Sequence, residues 1–247
     1  MENIWWFAAG LLAMTLLAIL VQRQAGVRLG AQPLVAVIRA AVQLAVIAVI
    51  LRGVLALPWL VLAFVVLMLS TASWTSFSRL KGIPDARRAV VIGIFVGALI
   101  TIVLIFGMRL VEWEVANVVA VAGIVIGNTM SAATLTGRNF ERSTVARRGE
   151  IEAWLSLGAT SRVAYQAVAQ ESMKESLIPN IDQTRATGLV TLPGAFVGAL
   201  LGGASPTEAA MLQLVLVGIL LTQSICSSVV IRVLSGSPVV PQEVRTS

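Results

Sequence analysis

Residues 150–162 read Glu-Ile-Glu-Ala-Trp-Leu-Ser-Leu-Gly-Ala-Thr-Ser-Arg, and they decide how the rest of the chain is interpreted. They lie at the centre of the only long polar segment, residues 138–187, which holds seven Lys and Arg residues and six Asp and Glu residues. One apolar segment precedes this insert and another follows it. A charged helical insert between two membrane segments indicates a part that receives force from outside the bilayer.

The composition predicts an all-α fold, a polytopic helical membrane protein with a cytoplasmic insert. Of the 247 residues, 57% are apolar and 12% are charged, and the mean hydropathy is +0.91, whereas soluble domains carry about 25% charged residues. Several windows have few charges over the roughly 18 residues needed to cross about 30 Å of hydrocarbon. We expect about seven spans, namely 4–21, 33–51, 58–77, 89–108, 115–136, 188–203 and 207–234. The sixth is short and contains Pro193, so a broken or re-entrant segment is the alternative to a full crossing there.

Basic residues set the predicted orientation. With the N-terminus outside, 15 of the 18 Lys and Arg residues fall in inside loops, which agrees with the excess of positive charge on the cytoplasmic side of membrane proteins. The insert and the C-terminus are then cytoplasmic, and the chain lies in the cell inner membrane as a single domain, 1–247. Because the basic residues lie between membrane segments, the pI near 11 does not indicate nucleic acid as a partner.

The residue inventory excludes several function classes. The chain has no histidine and one cysteine, Cys226, which excludes a Ser-His protease, a disulfide within the chain and a Cys/His zinc cluster. Asp85 and Asp182 are the only aspartates, too few for a lipid transferase that holds Mg²⁺ between clustered aspartates. No Gly-x-x-x-x-Gly-Lys-Ser/Thr loop is present. ATP-driven transport would therefore need another chain, and this chain is not expected to be an enzyme.

Polar groups inside two of the spans are candidates for a substrate pathway. Arg39 is a costly charge within span two, and Gln43 follows one turn later on the same face. Its depth also permits Arg39 to snorkel to the headgroups. Pro193 and Gly194 interrupt span six, which marks either a substrate site or a structural kink.

Span five carries a second group of candidates, Gly127, Asn128 and Met130. The Asn128 amide and the Met130 thioether can line an ion route, or they can serve plain helix packing. Glycines at four-residue spacing recur in three spans and are interpreted as packing within the chain in preference to a dimer face. These glycines are Gly93 and Gly97, Gly123 and Gly127, and Gly194, Gly198 and Gly202.

The insert has a helical pattern of its own. Ile151, Trp154, Leu155 and Gly158 share one face of an amphipathic helix. A turn at 158–159 follows, and Thr160 or Ser161 can cap a second helix that runs toward 177–179. The pattern predicts a compact cytoplasmic knob, and its alternative is a helix that lies on the bilayer surface.

The order of the motifs resembles a known family. Residues 127–130 (Gly-Asn-Thr-Met), 152–159 (Glu-Ala-Trp-Leu-Ser-Leu-Gly-Ala), Pro179 and 188–194 (Gly-Leu-Val-Thr-Leu-Pro-Gly) follow one another. Together they resemble the FetB-type iron-export permease family of ABC transporters, whose plant relatives are linked to aluminium tolerance. The family has methionines and a glutamine after its Pro-Gly turn, whereas residues 195–197 of this chain are Ala-Phe-Val.

The resemblance implies a permease homodimer that binds a separate cytoplasmic ABC ATPase subunit. ATP and Mg²⁺ would bind to that partner, and no cofactor is implied for this chain. The implied cargo is iron or another metal cation, with no ligand set assigned. The alternatives are a non-metal substrate and a non-transporting membrane scaffold. The implied ATPase-coupling residues are Glu150, Glu152, Ala153, Trp154, Leu155, Gly158 and Ala159.

Overall fold

The structure, a computed structural model, describes residues 3–27, 29–56, 59–215 and 218–236. Arg28 and residues 237–247, all on the predicted cytoplasmic side, lie outside these ranges. All regular elements within the ranges are α-helices. They are α1 (Asn3–Gln24), α2 (Gln32–Ala56), α3 (Leu60–Ser78), α4 (Ala86–Gly107), α5 (Val115–Ala146), α6 (Arg148–Ser156), α7 (Ser161–Ala164), α8 (Gln166–Ala186), α9 (Gly194–Leu201), α10 (Pro206–Val215) and α11 (Gly218–Leu234).

The chain divides into two compact units, Met1–Leu60 and Val61–Ser247. In the first unit α1 and α2 pack against each other, and most of their apolar side chains are exposed. The second unit contains the buried core and the whole of the predicted insert. Both candidate sites described below therefore belong to the second unit.

Six helical segments are long and apolar enough to cross a membrane, as far as the described residues show. They confirm the all-α, multi-pass fold and agree with six of the seven predicted spans. The predicted sixth span, 188–203, is not a crossing helix, because α9 has only eight residues, or about 12 Å at 1.5 Å per residue. The six segments are Trp5–Gln24, Gln32–Leu51, Leu60–Ser78, Ala86–Gly107, Val115–Ala146 and Pro206–Leu234.

Helix α9 is short because a glycine turn ends it and a capping box starts the next helix directly afterwards. Gly203, with φ +95°, ends the helix in the left-handed conformation that glycine adopts without strain. A capping box then begins α10. The Ser205 N–H donates to the Glu208 carboxylate at 2.8 Å, and the Glu208 N–H donates to Ser205 Oγ at 3.3 Å. The chain therefore forms a tight hairpin of two short helices that pack against each other.

Helices α4, α5 and α11 form the centre of the second unit. Glycines allow α11 to approach α4 closely. A Cβ atom at Gly93 would lie 2.8 Å from Cγ2 of Val230, and one at Gly97 would lie 3.0 Å from the carbonyl oxygen of Thr222. For Gly93 and Gly97, the predicted packing within the chain is therefore confirmed.

The close contact between α4 and α11 at Gly97 leads to a prediction about stability. Gly97→Ala places a methyl group against the α11 backbone and is expected to lower the free energy of unfolding by about 1–3 kcal/mol. Gly127→Ala is the matched control, because a Cβ at Gly127 meets nothing within 4 Å. Thermal unfolding in detergent checks both variants. Equal melting temperatures for Gly97→Ala and the parent chain would contradict the close contact.

Helix α8 extends further than predicted and packs against membrane helices. The sequence places the end of this helix near Pro179, but the helix continues through it to Ala186. Its buried residues lie against α5 and α11. Ser176 Oγ lies 3.3 Å from Ser227 Oγ, which accepts a hydrogen bond from Thr136 Oγ1 at 2.9 Å. The polar segment 138–187 is thus only partly a separate knob.

Candidate functional site

Helix α6 is the centre of the knob, and two of its side chains fix it to the bundle. Ile151 is 1% exposed, and Leu155 packs against the same core. Trp154 and Leu157 are 46% and 81% exposed. The predicted stripe is therefore divided, because Ile151 and Leu155 face the protein while Trp154 is exposed. Together with Leu157, which was not part of the predicted stripe, Trp154 presents an apolar surface to the outside.

Ion pairs surround the N-terminal half of α6. Arg147 pairs with Glu150 at 2.8 Å and with Glu171 of α8 at 3.2 Å, and Arg148 pairs with Glu152 at 2.7 Å. The hydrogen bond and the charge of Glu150 raise the pKa of Arg147. Exposed pairs of this kind contribute little free energy singly. Their role here is to fix the direction of α6 relative to α5 and α8.

A glycine turn ends α6 as predicted. Gly158 has φ +84°, its N–H bonds to the Leu155 carbonyl at 3.0 Å, and the Ala159 N–H bonds to the Trp154 carbonyl at 3.1 Å. This pattern is a Schellman motif. Thr160 occupies the N-cap position of α7 without a side-chain capping hydrogen bond. Trp154, Gly158 and Ala159, all predicted coupling residues, are thus joined in one rigid turn.

The left-handed turn gives a second stability prediction. Gly158→Ala has free space around its new methyl group but a strained backbone, and we expect a loss of about 1–2 kcal/mol in the free energy of unfolding of this region. Gly149→Ala, in the first turn of α6 and also in free space, should be neutral or slightly stabilising. Hydrogen exchange of the α6 amides measures both changes. Faster exchange in both variants, or in neither, would contradict the assignment.

An aromatic contact anchors the connection from α7 to α8. Tyr165 is 1% exposed, and its ring centroid lies 5.6 Å from that of Phe140 on α5. Burial raises the pKa of the Tyr165 hydroxyl, so the side chain is neutral at physiological pH. Two buried side chains therefore attach the knob to the rest of the bundle, Ile151 of α6 and Tyr165 before α8.

A second polar site lies inside the bundle, where α5 faces α11. Asn128 donates through Nδ2 to the Ile124 carbonyl at 2.8 Å, and its Oδ1 accepts from Gln223 Nε2 at 3.4 Å. Gln223 is fully buried, and its Oε1 has no hydrogen-bond partner. A buried amide oxygen without a partner is costly. The pair therefore offers oxygen ligands to a polar group or an ion.

The sequence analysis missed the contribution of α11. Residues 222–228 read Thr-Gln-Ser-Ile-Cys-Ser-Ser, and five of these seven side chains carry a hydroxyl or an amide. Thr222 donates to Thr101 of α4 at 2.6 Å, and Ser227 contacts α5 and α8. Such a density of polar residues in an apolar helix is visible in the sequence alone and could have identified α11 as part of the site. It places α11 at the polar centre of the second unit.

The other predicted pathway residues are placed as follows. Gly127 is exposed on α5, and Met130 is partly buried against the core. Pro193 and Gly194 do not interrupt a helix but begin α9, where the missing N–H of proline costs nothing. Arg39 and Gln43 lie on α2 of the first unit, and both are exposed.

Within the described ranges, no three His, Cys, Asp or Glu side chains are close enough together to hold a metal ion. A cation in this part of the chain would meet the neutral oxygens of amides, hydroxyls and backbone carbonyls. Such oxygens are hard ligands, and they do not select for soft metals. We call Asn128, Gln223 and the hydroxyl groups of Thr222 and Ser227 the polar layer.

Comparison with known proteins agrees with this architecture. A model of the family described as "Uncharacterised protein family (UPF0014)" matches residues 5–238. The chain belongs to the UPF0014 family. The matched residues include the α6 knob, Asn128 and Gln223. No solved structure gives a significant match.

The chain is also similar to named plant and bacterial proteins. The chain is 33% identical over 199 residues to the "UPF0014 membrane protein STAR2" of Oryza sativa subsp. japonica, covering 79% of this chain and 70% of the relative. It is 29% identical over 224 residues to "Protein ALUMINUM SENSITIVE 3" of Arabidopsis thaliana, with 90% and 82% covered. It is 29% identical over 221 residues to the "Probable iron export permease protein FetB" of Escherichia coli (strain K12), with 89% and 85% covered.

Proposed function

We propose that the chain is the membrane permease subunit of an ABC transporter that exports iron or another metal cation. A relative that aligns with most of the chain is named an iron export permease. The chain lacks a phosphate-binding loop of its own, so ATP and Mg²⁺ would bind to a separate cytoplasmic ABC ATPase subunit. This chain binds no cofactor in the proposed mechanism and catalyses no reaction.

The main support for a partner is the exposed apolar surface of α6. Trp154 projects from a helix that Ile151, Leu155 and the ion pairs hold fixed to the bundle, and Leu157 follows directly after that helix. Aromatic side chains on a rigid helix are typical anchors at protein interfaces. Closure of the ATPase would push α6, and because α6 is packed on α5, the push would reach the polar layer at Asn128. This is a two-state bundle whose states are biased by contacts with a partner.

The proposal includes an assembly and an orientation. The chain would act as a homodimer of single-domain permeases, 1–247, in the cell inner membrane, surrounded by lipid and without nucleic acid. The N-terminus is outside and the C-terminus is cytoplasmic, which puts the end of α5 and the whole of α6 in the cytoplasm. The coupling element then lies within residues 138–187 and faces the compartment that contains ATP.

A non-metal substrate is the second candidate. Two observations favour it: the described residues hold no metal-ligand cluster, and residues 195–197 are Ala-Phe-Val. The two candidates share the same coupling surface and differ only in what the polar layer accepts. They are separated by the substrate screen described next.

The test is purification of the full chain together with a stand-alone ABC ATPase, followed by measurement of ATP hydrolysis in liposomes. We expect a stable complex whose hydrolysis is stimulated by one of a series of metal ions, Fe²⁺ among them. A complex that no metal ion stimulates would favour the non-metal candidate. A chain that never associates with an ATPase would overturn the proposal as a whole and favour a membrane scaffold.

A further inference from the structure

Contacts establish the direction of each helix in the second unit. Helix α11 is antiparallel to α4: its first residue, Gly218, lies near Ile105 of α4, while Val230 lies near Gly93. We call the two ends of the bundle the Ala86 side and the Gly107 side, after the first and last residues of α4. Helix α11 therefore runs from the Gly107 side to the Ala86 side.

Helix α5 runs in the same direction as α11. Two residues before its start, Trp113 packs against Phe106 on the Gly107 side, with the ring centroids 4.9 Å apart and the rings tilted by 47°. Further along, a Cβ at Gly137 would contact Leu80, which precedes α4 on the Ala86 side. The chain thus reaches the Ala86 side at the end of α5 and begins α11 on the Gly107 side. Between residues 147 and 218 it must return across the bundle.

Only α8 is long enough to make this return among the helices described in that interval. Its 21 residues cover about 32 Å, whereas α9 and α10 cover about 12 and 15 Å. Its contacts have the right direction, since Met173 lies against Ser228 and Ser176 against Ser227. Ten residues of α8 follow Ser176 and nine residues of α11 precede Ser227, so the end of α8 is level with the start of α11.

The second half of α8, which is level with the first half of α11, is polar. Asn180 and Thr184 continue the buried face of Ser172 and Ser176 at four-residue spacing and are partly buried. The same antiparallel register puts Asn180 level with Gln223, whose Oε1 has no partner. On the other face, Asp182 and Arg185 have side chains 62% and 78% exposed and lie 3.5 Å apart.

Charged side chains at the depth of the hydrocarbon face water or protein and not lipid. We propose that α8 crosses the membrane and that its exposed face, which carries Asp182, Gln183 and Arg185, lines a water-filled route through the protein. The carboxylate of Asp182 and the amide of Gln183 on this face suit a small hydrated cation and do not suit a lipid. Only the statement that the substrate takes this route rests on the proposed function.

Sidedness is tested with two exposed leucines. Leu189 and Leu157 are 99% and 81% exposed, and they lie beyond the end of α8 and at the tip of the knob. In Leu189→Cys and Leu157→Cys of the full chain, a membrane-impermeant maleimide is applied to intact cells and to permeabilised cells. We expect Leu189→Cys to react in intact cells and Leu157→Cys only after permeabilisation. If both require permeabilisation, α8 does not cross and the proposal is overturned.

Water access is tested on the polar face. The probe is a charged methanethiosulfonate, and the native Cys226 is fully buried. Gln183→Cys and, as a second variant, Arg185→Cys should react on the order of a hundredfold faster than Leu99→Cys, an exposed position on the outside of α4, because only a hydrated thiol ionises readily. Rates equal to that of Leu99→Cys overturn the proposal, whether lipid or a second copy of the chain covers the face.

These measurements need no ATP, no ATPase and no transport. Failure of the ATPase to bind would therefore overturn the proposed function and leave the α8 route standing. Conversely, an unreactive α8 in a chain that couples normally to an ATPase would overturn the route alone.

Discussion

Trp154→Asp is expected to abolish ATPase coupling while the chain still folds and inserts. Trp154 is 46% exposed on a helix whose buried side chains, Ile151 and Leu155, are unchanged. Loss of a tryptophan anchor at an interface costs about 2 kcal/mol or more, which is about thirtyfold in affinity. A carboxylate adds a desolvation penalty to that loss. Co-purification with the ATPase and transport-stimulated hydrolysis measure the effect.

Two control variants make this result interpretable. Val145→Asp introduces the same charge at a position that is 45% exposed at the end of α5, outside the predicted coupling residues, and it should leave ATPase binding unchanged. Trp154→Phe keeps an aromatic anchor and should retain most of the affinity. If Trp154→Asp binds and stimulates the ATPase as the parent chain does, then α6 is not the coupling element.

Asn128→Leu is expected to reduce transport about tenfold or more, the range in which loss of one positioned polar contact to a substrate is felt. The same variant should lose about 1–3 kcal/mol of stability, because Gln223 is left buried with both ends of its amide unpaired. A stability loss alone would give a lower transport rate, so the single variant does not separate a pathway role from a packing role.

The double variant Asn128→Leu/Gln223→Leu separates the two roles. Replacing both partners by apolar side chains removes the unpaired groups, and most of the lost stability should return. Under the pathway role, transport stays as low as in Asn128→Leu although the melting temperature recovers. Transport is measured as vesicle efflux normalised to the amount of inserted protein, and the melting temperature is measured by thermal unfolding. Recovery of both together would assign Asn128 and Gln223 to packing.

Local features of the chain were predictable because their causes are local. The apolar segments follow from length and composition, and six of the seven agree with the structure. The turn at Gly158 follows from glycine's access to positive φ. The spacing of Gly93 and Gly97 indicated close packing of helices, and α11 does pack there. None of these conclusions required knowledge of which helix is the neighbour.

The predicted sixth span shows where such reasoning stops. Hydropathy selected 188–203 because those residues are apolar, and it assigned α8 to the cytoplasm because α8 is polar. Hydropathy describes the average surroundings of a segment, and a helix that presents its polar face to other helices or to water departs from that average. Ser176 of α8 contacts Ser227 of α11, and no window over α8 alone contains that contact.

The sequence by itself determined that this is a multi-pass helical membrane protein of the UPF0014 family with one charged insert, since these properties depend on residue types and their order. Only the tertiary structure decided that Trp154 faces outward while Ile151 is buried, and that Asn128 meets Gln223. The reason is distance along the chain. Asn128 and Gln223 are separated by 95 positions, and what a polar side chain meets inside a bundle is set by helices that the local pattern does not contain.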